Sequence, residues 1–169
     1  MKYRIVIFDD NKSRRDSLRT LISMIDDMEC VGEFEDCRQV LDKIYLSQPD
    51  LVLMDINLGT GIDGTEAADI ILKNRAIPII FLTNHSEKEV VEKVKKITSY
   101  GYVIKNSGVF VLLESINMAL ELFAVNQKLQ QDITERIKTE KELKLSENRL
   151  STIFHSSPAG ICINTADTG

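Results

Sequence analysis

The sequence is sparing in the residues that build metal clusters and disulfide frameworks. Its three cysteines, Cys30, Cys37 and Cys162, include no C-x-x-C pair, and its two histidines, His85 and His155, stand alone. This argues against a structural zinc site and against a disulfide scaffold. The cysteines are expected to be reduced and partly buried. No glycine-rich loop follows the first apolar run, so a nucleotide or flavin phosphate has no cradle there. Apolar runs are short. None approaches the ~20 residues that span a bilayer, and MKYRIVIFDD has too short an apolar core for a signal peptide. Basic charge is in deficit: 21 Lys and Arg against 26 Asp and Glu leave a net -5, which speaks against a nucleic-acid partner. The remaining class is a globular, cytoplasmic protein with no membrane span, long enough for one domain plus an appendage.

The first 120 or so residues alternate between two patterns. YRIVIFD (3–9), ECVGEF (29–34), DLVLMD (50–55), IPIIFLT (77–83) and YGYVIK (100–105) read as strands. Between them lie NKSRRDSLRTLISMID, CRQVLDKIYL, GTEAADIILKN and SEKEVVEKVKKIT, which read as helices; Ser86 and Glu89 form a capping-box pattern in the last. Strands alternating with helices imply a parallel sheet covered on both faces. The near-continuous Val, Ile and Leu of strands one, three and four agree. Right-handed crossovers make this an open, doubly wound α/β fold.

After residue 108 the character changes. VFVLLESINMALELF starts an amphipathic helix, and the chain runs on to Leu150 with no Gly or Pro. Leu122, Leu129, Arg136, Leu143 and Leu150 share one heptad position; Asn126, Ile133, Glu140, Glu147 and Phe154 share the other. A parallel coiled coil of marginal stability fits this. A single solvated helix laced with charge pairs is the alternative. One helix over residues 108–154 is about 70 Å long at ~1.5 Å per residue. The last stretch, FHSSPAGICINTADTG, is too short to bury a core. The expectation is the front of a longer protein, ending just inside a second domain.

In open α/β sheets, ligands bind at the carboxyl ends of the strands. Strand one ends in Asp9-Asp10, strand three in Asp55, strand four in Thr83 and strand five in Lys105. Three carboxylates, a hydroxyl and an ammonium therefore share one rim. Clustered carboxylates raise one another's pKa unless something compensates them. Mg²⁺ does so, and it accepts phosphate oxygens. A carboxylate is also a nucleophile toward phosphorus. Asp55 is the candidate nucleophile. Asp9 and Asp10 are candidate Mg²⁺ ligands, and Thr83 and Lys105 are candidate grips on phosphoryl oxygens.

FDDN, LVLMDINL, the G-x-D-G of Gly61 to Gly64, FLTN and GYVIK, in that order, resemble the receiver domain of two-component response regulators. The resemblance covers residues 1–123. It implies a flavodoxin-like sheet of order 2-1-3-4-5 with an extended C-terminal helix. It implies phosphorylation of Asp55 by a histidine kinase, a phosphotransfer protein or a small phosphodonor. It also implies that Asp9, Asp10, Asp55 and the main-chain carbonyl of Asn57 hold Mg²⁺, and that Thr83 and Tyr102 form a switch. Tyr102 can equally be a strand side chain packed in the core. DITERIKTEKELKLSENRL, within 124–154, is similar to signalling linker helices. RLSTIFHSSPAGICINTADTG is similar to the start of a PAS sensor domain, placed at 155–169. This order implies a larger sensory protein, a histidine kinase or alternatively a diguanylate cyclase, and a parallel homodimer through the helix.

Two departures from the family stand out. Asn106 follows Lys105 where most receivers have Pro joined through a cis peptide. A cis bond before a non-proline costs ~3–4 kcal/mol, so a trans or remodelled loop is expected. His85, two residues past Thr83, falls where the family tunes phosphate lifetime. A phosphohydrolase of the haloacid-dehalogenase type is a competing reading of IVIFDDN. It needs D-x-D after strand one, and position 11 is Asn.

Overall fold

The computed structural model describes residues 2–59, 61–84 and 100–156. Contacts divide the chain into two compact units, Met1–Asn126 and Gln127–Gly169. The first unit holds β1 (Tyr3–Phe8), α1 (Lys12–Ser23), β2 (Met28–Phe34), α2 (Val40–Ser47), β3 (Leu51–Asp55), α3 (Gly64–Asn74), β4 (Ile79–Thr83) and β5 (Tyr102–Ile104). It also holds the first part of α4 (Val109–Ser156), the rest of which lies in the second unit. The sheet order is β2-β1-β3-β4-β5 and every pairing is parallel. This is the flavodoxin-like arrangement that the motif order implied. The winding reverses between β1 and β3, which opens a crevice beyond their carboxyl ends.

Successive strand residues point to opposite faces, and both faces are covered. On one side, Val6, Phe8, Val52, Met54, Ile79 and Phe81 pack with Val40 and Ile44 of α2 and Ala67, Ala68 and Ile71 of α3. On the other, Ile5, Ile7, Leu51, Leu53, Ile80 and Leu82 meet Leu18 and Ile22 of α1 and Leu112, Ile116, Ala119 and Leu120 of α4. Two-sided cover explains the unbroken apolar runs of β1, β3 and β4. Each fully buried Leu, Ile, Val or Phe contributes roughly 1.5–3 kcal/mol, so the strand ends rest on a firm base.

Several boundaries differ from the sequence pattern. The helical pattern expected to reach Asp26 ends at Ser23. There the amides of Met24 and Ile25 donate to the carbonyls of Leu21 and Ile22 at 3.1 Å, a tightened last turn. α2 begins at Val40 rather than at Cys37. The Asp36 carboxylate captures the Arg38 amide at 3.0 Å, and Gln39 takes a left-handed φ of 53° before the helix starts. β5 has three residues where six were expected. The helix expected over 86–98, with its Ser86–Glu89 box, lies outside the described residues. A capping box does form at α3, between Asp63 and Glu66. Cys30 and Cys37 are free thiols, and burial pushes Cys37 up to about 12. Cys162 lies outside the described residues.

Within Val109–Phe154, one 18-residue stretch is long and apolar enough by length and composition to cross a membrane, a test that core helices also pass. In the first unit, the Leu112, Ile116, Ala119 and Leu120 face of this helix is spent on the sheet. In the second unit, Leu129, Ile133, Leu143 and Leu150 are exposed. Lys144 and Glu140 pair at 3.0 Å along that stretch.

The β2–α2 loop is pinned by one buried carboxylate. Asp36 accepts from Lys43 Nζ at 2.8 Å and from Arg38 Nε at 2.5 Å. Lys43 foremost, with Arg38, holds its pKa down at about 2 against the opposing cost of burial. A depressed carboxyl stabilises the fold above its ordinary value near 3.8, and that stability is lost as pH falls through about 2. Asp36→Asn is therefore expected to lower the urea midpoint equally at pH 7 and pH 5, with a smaller deficit near pH 3. A deficit independent of pH would mean that the loop is held by shape rather than by charge.

Candidate functional site

The register of the sheet brings the strand ends level. Phe8 pairs with Met54, Asp55 with Leu82, and Thr83 with Ile104. Asp9, Asp55, Thr83 and Lys105 therefore arrive at one rim, as their positions in the sequence suggested. Asp9 is fully buried, and Asp55 and Thr83 are nearly so. Asp10 and Asn57 are exposed at the mouth. One carboxylate oxygen from each of Asp9, Asp10 and Asp55 lies within 4.8 Å of the other two. Such a set of hard oxygen donors, two buried and one open, fits a divalent cation that keeps some of its water.

Local backbone geometry fixes each carboxylate. The Asn11 amide donates to Asp9 Oδ1 at 2.9 Å, and the Asn57 amide donates to Asp55 Oδ1 at 3.0 Å. Asn11 spends its own side chain capping α1, accepting from the Arg14 amide at 3.1 Å. It is the residue that stands where a D-x-D phosphohydrolase needs its second acid. The β3 end is held by close approach. A Cβ on Gly64 would sit 1.9 Å from the Asp55 carbonyl oxygen, and the Gly64 amide donates to the Ile56 carbonyl at 3.0 Å.

Cations answer the negative charge. Lys105 Nζ lies 2.5 Å from Asp55 Oδ2 and 3.5 Å from Asp9 Oδ2, with its side chain almost wholly buried. Burial pushes the Asp55 carboxyl above the usual range. The Lys105 and Asn57 hydrogen bonds oppose that rise, and the Asp9 charge adds to it. Lys105 follows a β5 whose register is set by its own amide, which donates to the Thr83 carbonyl at 2.8 Å. No cis peptide occurs among the described residues, so the Lys105–Asn106 bond is trans, as expected without proline. Tyr102 is half-buried and packs against the α2–α3 side of the core. His85 lies outside the described residues.

Sequence reasoning missed Arg14. Its Nη1 lies 3.1 Å from Asp9 Oδ2 and 3.3 Å from Asp9 Oδ1, and 3.9 Å from Asp55 Oδ2. Its neighbour Arg15 donates to the Asp9 carbonyl at 2.6 Å. A signal was available. The first turn of α1 holds Lys12, Arg14 and Arg15 and no acid, which runs against the helix dipole. Cations placed there need carboxylates just ahead, and Asp9-Asp10 supply them.

Comparison with known proteins agrees with this geometry. The model of the response regulator receiver domain matches residues 5–117. The transcriptional regulatory protein PdtaR of Mycobacterium tuberculosis is 28% identical over 152 residues, 88% of this chain and 73% of that protein. Two solved structures are also similar. One is the N-terminal domain of a response regulator/sensory box/GGDEF three-domain protein from Carboxydothermus hydrogenoformans. It is 34% identical with a TM-score of 0.61, over 73% of this chain and 98% of that one. The other is the signal receiver domain of a modulated diguanylate cyclase from Desulfovibrio desulfuricans. It is 25% identical with a TM-score of 0.68, over 75% of this chain and 99% of that one.

The Gly64 contact is testable. Gly64→Ala places a methyl against the Asp55 backbone, and overpacking of this kind costs about 1–3 kcal/mol. The expected result is a lower urea midpoint together with weaker divalent-cation binding. Unchanged stability and binding would show that β3 and α3 can separate freely.

Proposed function

This chain belongs to the response regulator receiver family, and we propose that Asp55 is its phosphoacceptor, phosphorylated in a Mg²⁺-dependent reaction. The observation that carries this reading is Asp55 itself: a buried carboxylate, beside Asp9 and Asp10, held at 2.5 Å by Lys105. The phosphodonor is a histidine kinase or a phosphotransfer protein, with small acyl phosphates as substitutes.

The residues divide the work as follows. An Asp55 oxygen attacks phosphorus. The new O–P bond forms as the P–N bond to the donor imidazole breaks, and the imidazole leaves with that electron pair. Asp9, Asp10, Asp55 and the Asn57 carbonyl would hold Mg²⁺, which when bound would neutralise charge on the phosphoryl oxygens. Lys105 exchanges its bond to the carboxylate for one to a phosphoryl oxygen, and the Thr83 hydroxyl offers a second donor. Thr83 then draws toward the phosphoryl group and Tyr102 follows, which alters the surface at β5 and the start of α4.

The output runs through α4. The receiver occupies 1–123, a signalling helix 124–154, and 155–169 begins a PAS sensor domain. The PAS segment from residue 157 onward lies outside the described residues. The exposed Leu129, Ile133, Leu143 and Leu150 support a parallel homodimer through this helix, since a lone solvated helix gains nothing from displaying them. The whole protein is then a PAS-containing sensory kinase. A second reading is a diguanylate cyclase. It is favoured by the two similar receivers that come from a diguanylate cyclase and from a response regulator/sensory box/GGDEF protein.

Two measurements test this. Intact mass after incubation with acetyl phosphate and Mg²⁺ should show one phosphoryl adduct, absent without Mg²⁺ and in Asp55→Asn. No adduct in the wild type would sink the phosphoacceptor assignment. Light scattering should show a dimer that Leu129→Asp combined with Leu143→Asp converts to a monomer still able to take the phosphoryl group. A monomeric wild type would leave α4 as a solvated helix.

A further inference from the structure

The acid pocket has a negative surplus and two cations of unlike character within it. The Lys105 side chain is only 3% exposed and is bonded to Asp55 in the resting site. The Arg14 side chain is 30% exposed and enters from α1. Both cations contend for one atom, Asp9 Oδ2, at 3.1 Å for Arg14 and 3.5 Å for Lys105. That oxygen is also the less engaged one on Asp9, because Oδ1 accepts from the Asn11 amide at 2.9 Å and from Arg14 at 3.3 Å.

We propose that Arg14 is the resting counter-ion of the acid pocket and that a divalent cation must displace it to bind. Arg14 thereby sets the metal concentration at which this receiver becomes competent. The inference rests on the receiver reading of the same site. It makes Arg14 a positioning residue, acting through Asp9 rather than on the phosphoryl group.

Charge and space both support the exchange. A guanidinium and a divalent cation cannot share one carboxylate edge without strong repulsion, which at a few ångströms and partial burial far exceeds thermal energy. Arg14 also has somewhere to go. It already lines a cavity of about 380 Å³ together with Ser17, Leu21, Val103, Lys105 and Leu112 among others. Apolar walls suit the methylene stem, and the open mouth keeps the charged head in water. The side chain can turn out of the pocket while α1 stays capped by Asn11, because the cap engages the Arg14 backbone amide and not its guanidinium.

A merely structural role predicts something different. If Arg14 only ties α1 to the sheet, its loss lowers stability and leaves metal affinity unchanged or weaker. If it acts only as one more distant positive charge, any arginine on α1 serves as well. Arg19 provides that comparison, since it lies on the same helix, is half-exposed and pairs with Asp16 and Glu33 away from the pocket.

The test is calorimetric titration of the whole chain with Mg²⁺ at low salt, comparing wild type, Arg14→Met, Arg14→Gln and Arg19→Met. Arg14→Met keeps the apolar stem, and Arg14→Gln is the second variant should Met disturb folding. Both Arg14 variants are expected to bind Mg²⁺ roughly tenfold more tightly than wild type, and Arg19→Met within about twofold of it. The gain should shrink as salt is raised. Equal or weaker affinity in the Arg14 variants, or equal tightening in Arg19→Met, overturns the proposal. A wild type that binds no Mg²⁺, or whose binding is indifferent to Asp10→Asn, overturns the receiver reading beneath it.

Discussion

Carboxylates at the ends of neighbouring strands repel one another, and the site depends on how that repulsion is answered. Lys105 answers it from the end of the shortest strand, reaching Asp55 at 2.5 Å and Asp9 at 3.5 Å. Its starting point is set by backbone: the Lys105 amide is tied to the Thr83 carbonyl, and β4 is tied to β3. The sheet therefore fixes the distance between a cation and the carboxylate it serves. A buried ammonium without these partners would be costly, and so would the buried acids without it. Each makes the other tolerable.

Most of this was legible in the residues. Apolar runs ending on Asp9, Asp55 and Thr83 announced both the strands and the rim, because a buried parallel strand reads as an unbroken run and its end as the first polar residue. The sheet order and the grouping of the acids follow from alternation and winding. Other features were hidden for physical reasons. The start of α2 depends on Asp36 capturing the Arg38 amide, a contact that competes with helix formation locally. Arg14 reaches the site by the length of its side chain, and reach leaves no trace in periodicity.

The two units of the chain draw on α4 differently. In the first, Leu112, Ile116, Ala119 and Leu120 complete one face of the sheet core, so the beginning of the helix is as firmly held as any strand. In the second, from Lys128 to Phe154, every residue is exposed. The same secondary structure thus serves as core in one unit and as exposed surface in the other. A continuous helix needs no separate joint between those tasks.

The missing side chain at Gly64 has a directional consequence. With 1.9 Å between the Asp55 carbonyl oxygen and any Cβ at that position, the start of α3 stands against β3 like a wall. The end of β3 has no room to settle toward α3. On the opposite side β3 is held by backbone pairing to β4, with Asp55 in register with Leu82 and the Ile56 amide donating to the Leu82 carbonyl at 3.2 Å. The end of β3 and the start of α3 are therefore one packed unit, and a change that shifts either backbone must shift both.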